Sequence, residues 1–139
     1  MRSTFGRRGL NLETVITAVT FTVARPPVST NRAYRTLRDK PGLYISREGK
    51  DFAHAVRSEA LAAKMKARWT HSGEPVEVRI EAWNYRGDVD GIIKPILDAM
   101  QGVLYENDRS VLRVTASKES DAGKPRTVVF VRLKEKSPA

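Results

Sequence analysis

The sequence predicts one α+β domain: a mixed β-sheet flanked by two main helices. Three observations predict it. Apolar residues alternate with polar ones over Val76–Trp83, the period of a half-buried strand. Phe52, Val56, Ala60, Leu61, Met65 and Trp69 recur at helical spacing. The 139 residues fit one core, and 40% apolar content is enough to fill it.

The elements follow in chain order. Residues 1–12 read as a flexible basic arm, the domain spans 13–134, and 135–139 form a frayed tail. Arg2, Arg7 and Arg8 precede an apolar stretch that superficially mimics an export signal. However, Thr14, Thr17, Thr20 and Thr22 interrupt it, and the alternation around Val19, Phe21 and Val23 predicts a strand from Thr14 to Val23. Pro26-Pro27 ends that strand, because proline donates no ladder hydrogen bond. Residues 25–50 are turn-rich and basic, with seven Lys or Arg against two acids and with Tyr34 and Tyr44 interleaved. A short strand is expected over Gly42–Ser46. Ser46 opens the long helix, and His71-Ser72-Gly73 is expected to close it.

After the strand at Val76, Asn84–Asp88 reads as a turn. A second helix is expected over Val89–Val103, with Ile92, Ile93, Ile96, Leu97 and Met100 as its apolar face. Pro95 falls in its first turns and Gly102 marks its end. Tyr105–Arg109 reads as a loop. Strands are expected over Val111–Ser117 and Thr127–Leu133, joined by a turn at Gly123-Lys124-Pro125. His54 and His71 read as ordinary helix residues, and Trp69 and Trp83 as core or interface anchors.

Charge narrows the function. Lys and Arg number 25 against 16 Asp and Glu, a formal net charge of +9. A compact domain this basic attracts polyanions, nucleic acid first. With no cysteine and two histidines, a thiolate zinc site is excluded and a histidine-rich one is not expected. A bound metal must rely on carboxylates, which favour hard ions. No run approaches a membrane span, no organic cofactor motif is present, and the cysteine-free composition fits the cytoplasm.

The chemistry concentrates in YRGDVDGIIKPILDAMQGVLYENDRSV, Tyr85 to Val111. Asp88 and Asp90, two apart, share a side if the backbone there is extended. They also stand where a helix begins, a favourable place for anions. Asp90, Lys94 and Asp98 share a helical face. Asp108 lies beyond the helix, in a loop returning toward the sheet, and rejoins the pair only if the next strand brings that loop back beside Asp88. Carboxylates held together repel unless a cation or proton compensates them. In a basic protein, such a cluster beside a lysine suits metal-assisted phosphodiester hydrolysis. The plainer reading makes Asp88 a helix cap and Lys94–Asp98 a surface ion pair.

These residues resemble the RusA family of Holliday junction resolvases. That family carries an Asp-x-Asp-Asn turn, a lysine four residues on, and an Asp beyond the helix. PPVSTNRAYR is similar to its Pro-Pro-Ser-x-Asn-Arg-x-Tyr-Arg segment, and LYISREGKDFAHAV to its strand-to-helix entry. The resemblance covers about Val23 to Val114. It implies that Asp88, Asp90 and Asp108 hold a metal, Mg²⁺ or Mn²⁺, and that Lys94 is catalytic. It implies DNA contacts from the basic N-terminal motif, Asn31, Arg32, Tyr34 and Arg35. We place Arg38 and Arg86 beside these as DNA-binding candidates. It further implies a homodimer that makes paired nicks in branched DNA during recombination and repair. The chain departs from the family at Gly91 (for Asn), Asn107 (often Asp) and Ser110 (often Gln). The competing readings are a non-enzymatic nucleic-acid-binding module and a nuclease acting on flaps or forks.

Overall fold

The computed structural model describes residues 17–36 and 43–134. The expected N-terminal arm, the tail and Arg38 lie outside the described residues. A four-stranded sheet has the order β1-β6-β4-β5 and is built from β1 (Ala18–Val23), β4 (Val76–Trp83), β5 (Val111–Glu119) and β6 (Arg126–Leu133). The β4–β5 pair is parallel and the others are antiparallel, so the sheet is mixed as expected. A two-stranded ribbon pairs β2 (Tyr34–Thr36) with β3 (Leu43–Ile45). The helices are α1 (Thr30–Ala33), α2 (Arg47–Ala67) and α3 (Ile93–Met100).

Alternation builds the sheet. Val76, Val78, Ile80 and Ala82 are buried under the helices together with Val19, Phe21, Val23, Val129 and Val131. On the opposite face, Glu77 is ringed by Arg132 at 2.7 Å, Lys134 at 3.0 Å and Arg113 at 3.8 Å. Those cations hold its carboxyl below the usual carboxylate range.

Several boundaries depart from expectation. Ser46 caps α2, its hydroxyl accepting from Gly49 N at 3.0 Å. The helix stops at Ala67, with Arg68 left-handed at φ 57°, several residues before His71-Ser72-Gly73. The buried stripe of α2 runs through Phe52, Val56 and Ala60, with Ala63 and Ala67 half-buried. Leu61 and Met65, expected on that face, are 49% and 70% exposed. They lie one residue, about 100° round the cylinder, from Ala60 and Lys64, which turns them off the stripe. Trp69 is buried beyond the helix end, its indole N–H donating to Leu104 O at 3.0 Å.

The expected second helix divides into a 3₁₀ turn at Val89–Ile92 and then α3. Ile92, Ile96, Ala99, Met100 and Leu104 are all buried. Each of the larger side chains contributes about 1.5–3 kcal/mol of apolar burial. Burial of this face fixes the opposite face, with Asp90, Lys94 and Asp98, toward solvent. The Arg57 guanidinium donates to the Ala99 and Gln101 carbonyls, both at 3.0 Å, and so satisfies orphan acceptors at the end of α3. Gly102 then turns the chain at φ 83°.

A groove that joins two sequence motifs

The turn carrying Asp88 begins where β4 ends. Asn84 takes φ 57° and is fastened to the β5–β6 hairpin. Its amide donates to Asp121 Oδ1 at 2.8 Å and to Gly123 O at 2.9 Å, and its Oδ1 accepts from Asp121 N. Arg126 pairs with Asp121 at 2.7 Å and lies over the Trp83 ring. From this anchored base the chain passes Tyr85, whose ring packs on Gly87. A Cβ at Gly87 would sit 2.3 Å from the Tyr85 hydroxyl oxygen, so a larger residue there displaces the Tyr85 ring.

Asp88 occupies the N-cap position of the 3₁₀ turn but makes no side-chain capping hydrogen bond. A simple capping role is therefore not what its carboxylate does. Asp90 lies inside that turn, so the two are not on an extended strand as the i, i+2 argument assumed. Both are exposed, and both line one groove.

The opposite wall of the groove comes from the Pro-Pro segment. Ser29 caps α1 by accepting from Arg32 N, and Thr30 Oγ1 donates to Gly91 O at 3.0 Å. The groove, about 700 Å³, thus gathers Asn31, Arg32 and Arg86 with Asp88 and Asp90. Arg32 is ion-paired with Glu48 of α2. Arg35 is exposed on β2. Gly91, which departs from the family pattern, supplies the carbonyl that receives Thr30, and a Cβ there would meet Ser29 at an ordinary 3.4 Å.

The helix face carries a second cluster. Lys94 Nζ reaches Asp98 Oδ2 at 3.1 Å and stands 5.2 Å from the centre of the Tyr34 ring. The Tyr34 hydroxyl donates to the same Asp98 oxygen. Asp108 begins a short 3₁₀ turn, Asp108–Ser110, capped by Asn107, whose Oδ1 accepts from Arg109 N at 2.9 Å. Desolvation raises the Asp108 pKa, the neighbouring Asp98 charge raises it further, and Lys94 opposes both. A hydrogen bond with Asp98 adds to the rise. Tyr105, buried nearby, donates to Leu97 O at 2.6 Å, and burial pushes its hydroxyl well above the usual range.

The parallel crossover explains where Asp108 falls. β5 starts with Val111 opposite Val76, the beginning of β4 rather than its end. Asp108 therefore neighbours Asp98, late in α3. Among the described residues, no three His, Asp or Glu side chains lie close enough to hold one metal ion. The expected convergence of Asp88, Asp90 and Asp108 on a single cation is not formed. Asp88 and Asp90 line the groove, while Asp98 and Asp108 neighbour each other beside Lys94. Asp98, which the sequence offered only as an ion-pair partner of Lys94, belongs to this face, and its i, i+4 spacing was the available signal.

A sequence profile described as Endodeoxyribonuclease RusA matches residues 24–132. The chain belongs to the RusA family. The match spans both walls of the groove and the whole of α3, and so includes the segments that Thr30–Gly91 and Tyr34–Asp98 tie together. RusA family membership makes this an endodeoxyribonuclease fold. No curated protein matches the chain. Among the described residues, no helix is long and apolar enough to cross a membrane.

Proposed function

We propose that this RusA family member resolves four-way DNA junctions by divalent-metal-dependent phosphodiester hydrolysis, in recombination and repair. The observation that carries the reading is the groove: acidic Asp88 and Asp90 share one cavity with cationic Arg32 and Arg86. Arginines there bind backbone phosphate, and carboxylates without a cap or partner role are suited to a cation beside it.

The donor set fits a hard divalent ion. Mg²⁺ commonly takes only one or two carboxylates and completes its shell with water and phosphate oxygens. Asp88 and Asp90 supply two oxygen donors at the groove, while Asp108 lies beside Asp98. When bound, such an ion supplies an activated water and offsets phosphate charge. Lys94 presents its ammonium where the phosphate gains negative charge. Asn31, Arg32, Tyr34, Arg35 and Arg86 hold the DNA in register. A homodimer places two such grooves on the near-symmetric arms of a junction and yields paired nicks.

The test is Asp90→Asn with a synthetic four-way junction. The variant binds the junction as the parent does and fails to cut it. A variant that cuts at the parent rate removes Asp90 from the site. A parent that binds the junction, needs no metal to do so and never nicks it is a binding module instead.

A further inference from the structure

We propose that Asp98 is a positioning residue for Lys94, holding its ammonium over the Tyr34 ring so that it faces the cleaved phosphate. The inference rests on the role given to Lys94 above and adds a residue and a mechanism to it. A lysine on an exposed helix face has four rotatable bonds and loses its aim unless something restrains it. Here two contacts restrain it, and a third fixes its partners to each other. Asp98 Oδ2 accepts from Nζ at 3.1 Å. The aromatic face of Tyr34 lies 5.2 Å away, within cation–π range. Tyr34 in turn donates its hydroxyl to the same Asp98 oxygen, which fixes the carboxylate.

Each partner is itself anchored. Tyr34 follows α1, which Ser29 caps and Thr30 ties to Gly91. Asp98 sits one helical turn beyond Lys94, on a helix whose other side is fully buried. An ordinary surface ion pair contributes little and wanders. This pair has a third member from a distant segment that selects one geometry. The arrangement also gives the tyrosine of the N-terminal motif a purpose besides touching DNA.

The decisive experiment is a double-mutant cycle on single-turnover cleavage of a four-way junction, with junction Kd measured alongside. Asp98→Asn is expected to slow cleavage by about thirty-fold, since a small misplacement near the chemistry carries costs of this order. Junction Kd stays within about threefold, because the groove is untouched. In a Lys94→Met background the same substitution changes the rate by less than about twofold, since its effect runs through the lysine. Asp98→Glu recovers part of the lost rate.

Tyr34→Phe, a milder change, slows cleavage less and also loses its effect in the Lys94→Met background. It decides the matter should Asp98→Asn melt before the assay temperature. Additive losses from Asp98→Asn and Lys94→Met overturn the inference and make Asp98 an independent participant. Loss of junction binding in step with loss of rate overturns it as well. A slow Lys94→Met protein beside a parent-like Asp98→Asn protein overturns this inference alone. A parent-like Lys94→Met protein overturns the role of the lysine itself, and this inference with it.

Discussion

The Tyr34 hydroxyl donates to the Asp98 carboxylate, the same oxygen that takes the Lys94 ammonium at 3.1 Å. One hydrogen bond thus joins the Asn-Arg-x-Tyr-Arg segment to the helix that follows the Asp-x-Asp turn. With Thr30 Oγ1 on Gly91 O, it makes the two motifs one structural unit. The groove between them is defined only while both ties hold.

The first prediction tests that unit through packing. A Cβ at Gly49 would lie 2.8 Å from both Cα and O of Ala33, so α1 seats directly on the start of α2. Gly49→Ala forces α1 away and destabilises the protein by about 1–3 kcal/mol. Because α1 carries Asn31 and Arg32, junction affinity falls too. Gly73→Ala is the control: nothing lies within 4 Å of its Cβ, and stability stays within about 0.5 kcal/mol in denaturant titrations.

A second prediction concerns Arg32, whose guanidinium is paired with Glu48. Arg32→Ala weakens junction binding and lowers the slope of log K against log salt by about one phosphate contact. Glu48→Gln frees the arginine and strengthens binding at low salt. An unchanged slope in Arg32→Ala places Arg32 outside the DNA contact.

Acid stability gives a third. Arg126 and Asn84 beside Asp121 hold its carboxyl well below the usual carboxylate range, and Arg132 and Lys134 lower that of Glu77. A carboxyl whose folded pKa is depressed stabilises the fold above its unfolded pKa and loses that contribution as pH falls. Tm therefore declines as pH drops below about 4. Asp121→Asn lowers Tm at neutral pH and flattens that decline. Melts of the two proteins that run parallel from neutral to acid pH exclude the Asn84–Asp121–Arg126 latch as a contributor.

How far the sequence carried these conclusions depended on which force set each element. Val76–Trp83 was legible because period-2 alternation is enforced by one buried face. The α2 stripe was legible at Phe52, Val56 and Ala60 but not at Leu61 and Met65, because the stripe continues through the small residues Ala63 and Ala67, whose size gives no strong apolar signal. Neither α1 nor β2 showed in a segment whose composition reads only as turn-rich and basic, because a four-residue helix is held by its cap and its neighbours.

At the site, the local pairs were readable: Asp88 with Asp90, and Lys94 with Asp98. The position of Asp108 was not. It depends on β5 running parallel to β4, a long-range choice that leaves no local mark in Glu106-Asn107-Asp108. The resemblance offered Tyr34 only as a DNA contact, whereas its bond to Asp98 spans 64 positions.

The central claim is tested most directly by incubating the purified protein with a synthetic mobile four-way junction, with and without Mg²⁺, and resolving the products on a denaturing gel. The account predicts paired nicks at symmetric positions only when the metal is present, and little cutting of plain duplex. Equal cleavage in chelator, or tight metal-independent binding with no nicks under any condition, would contradict it.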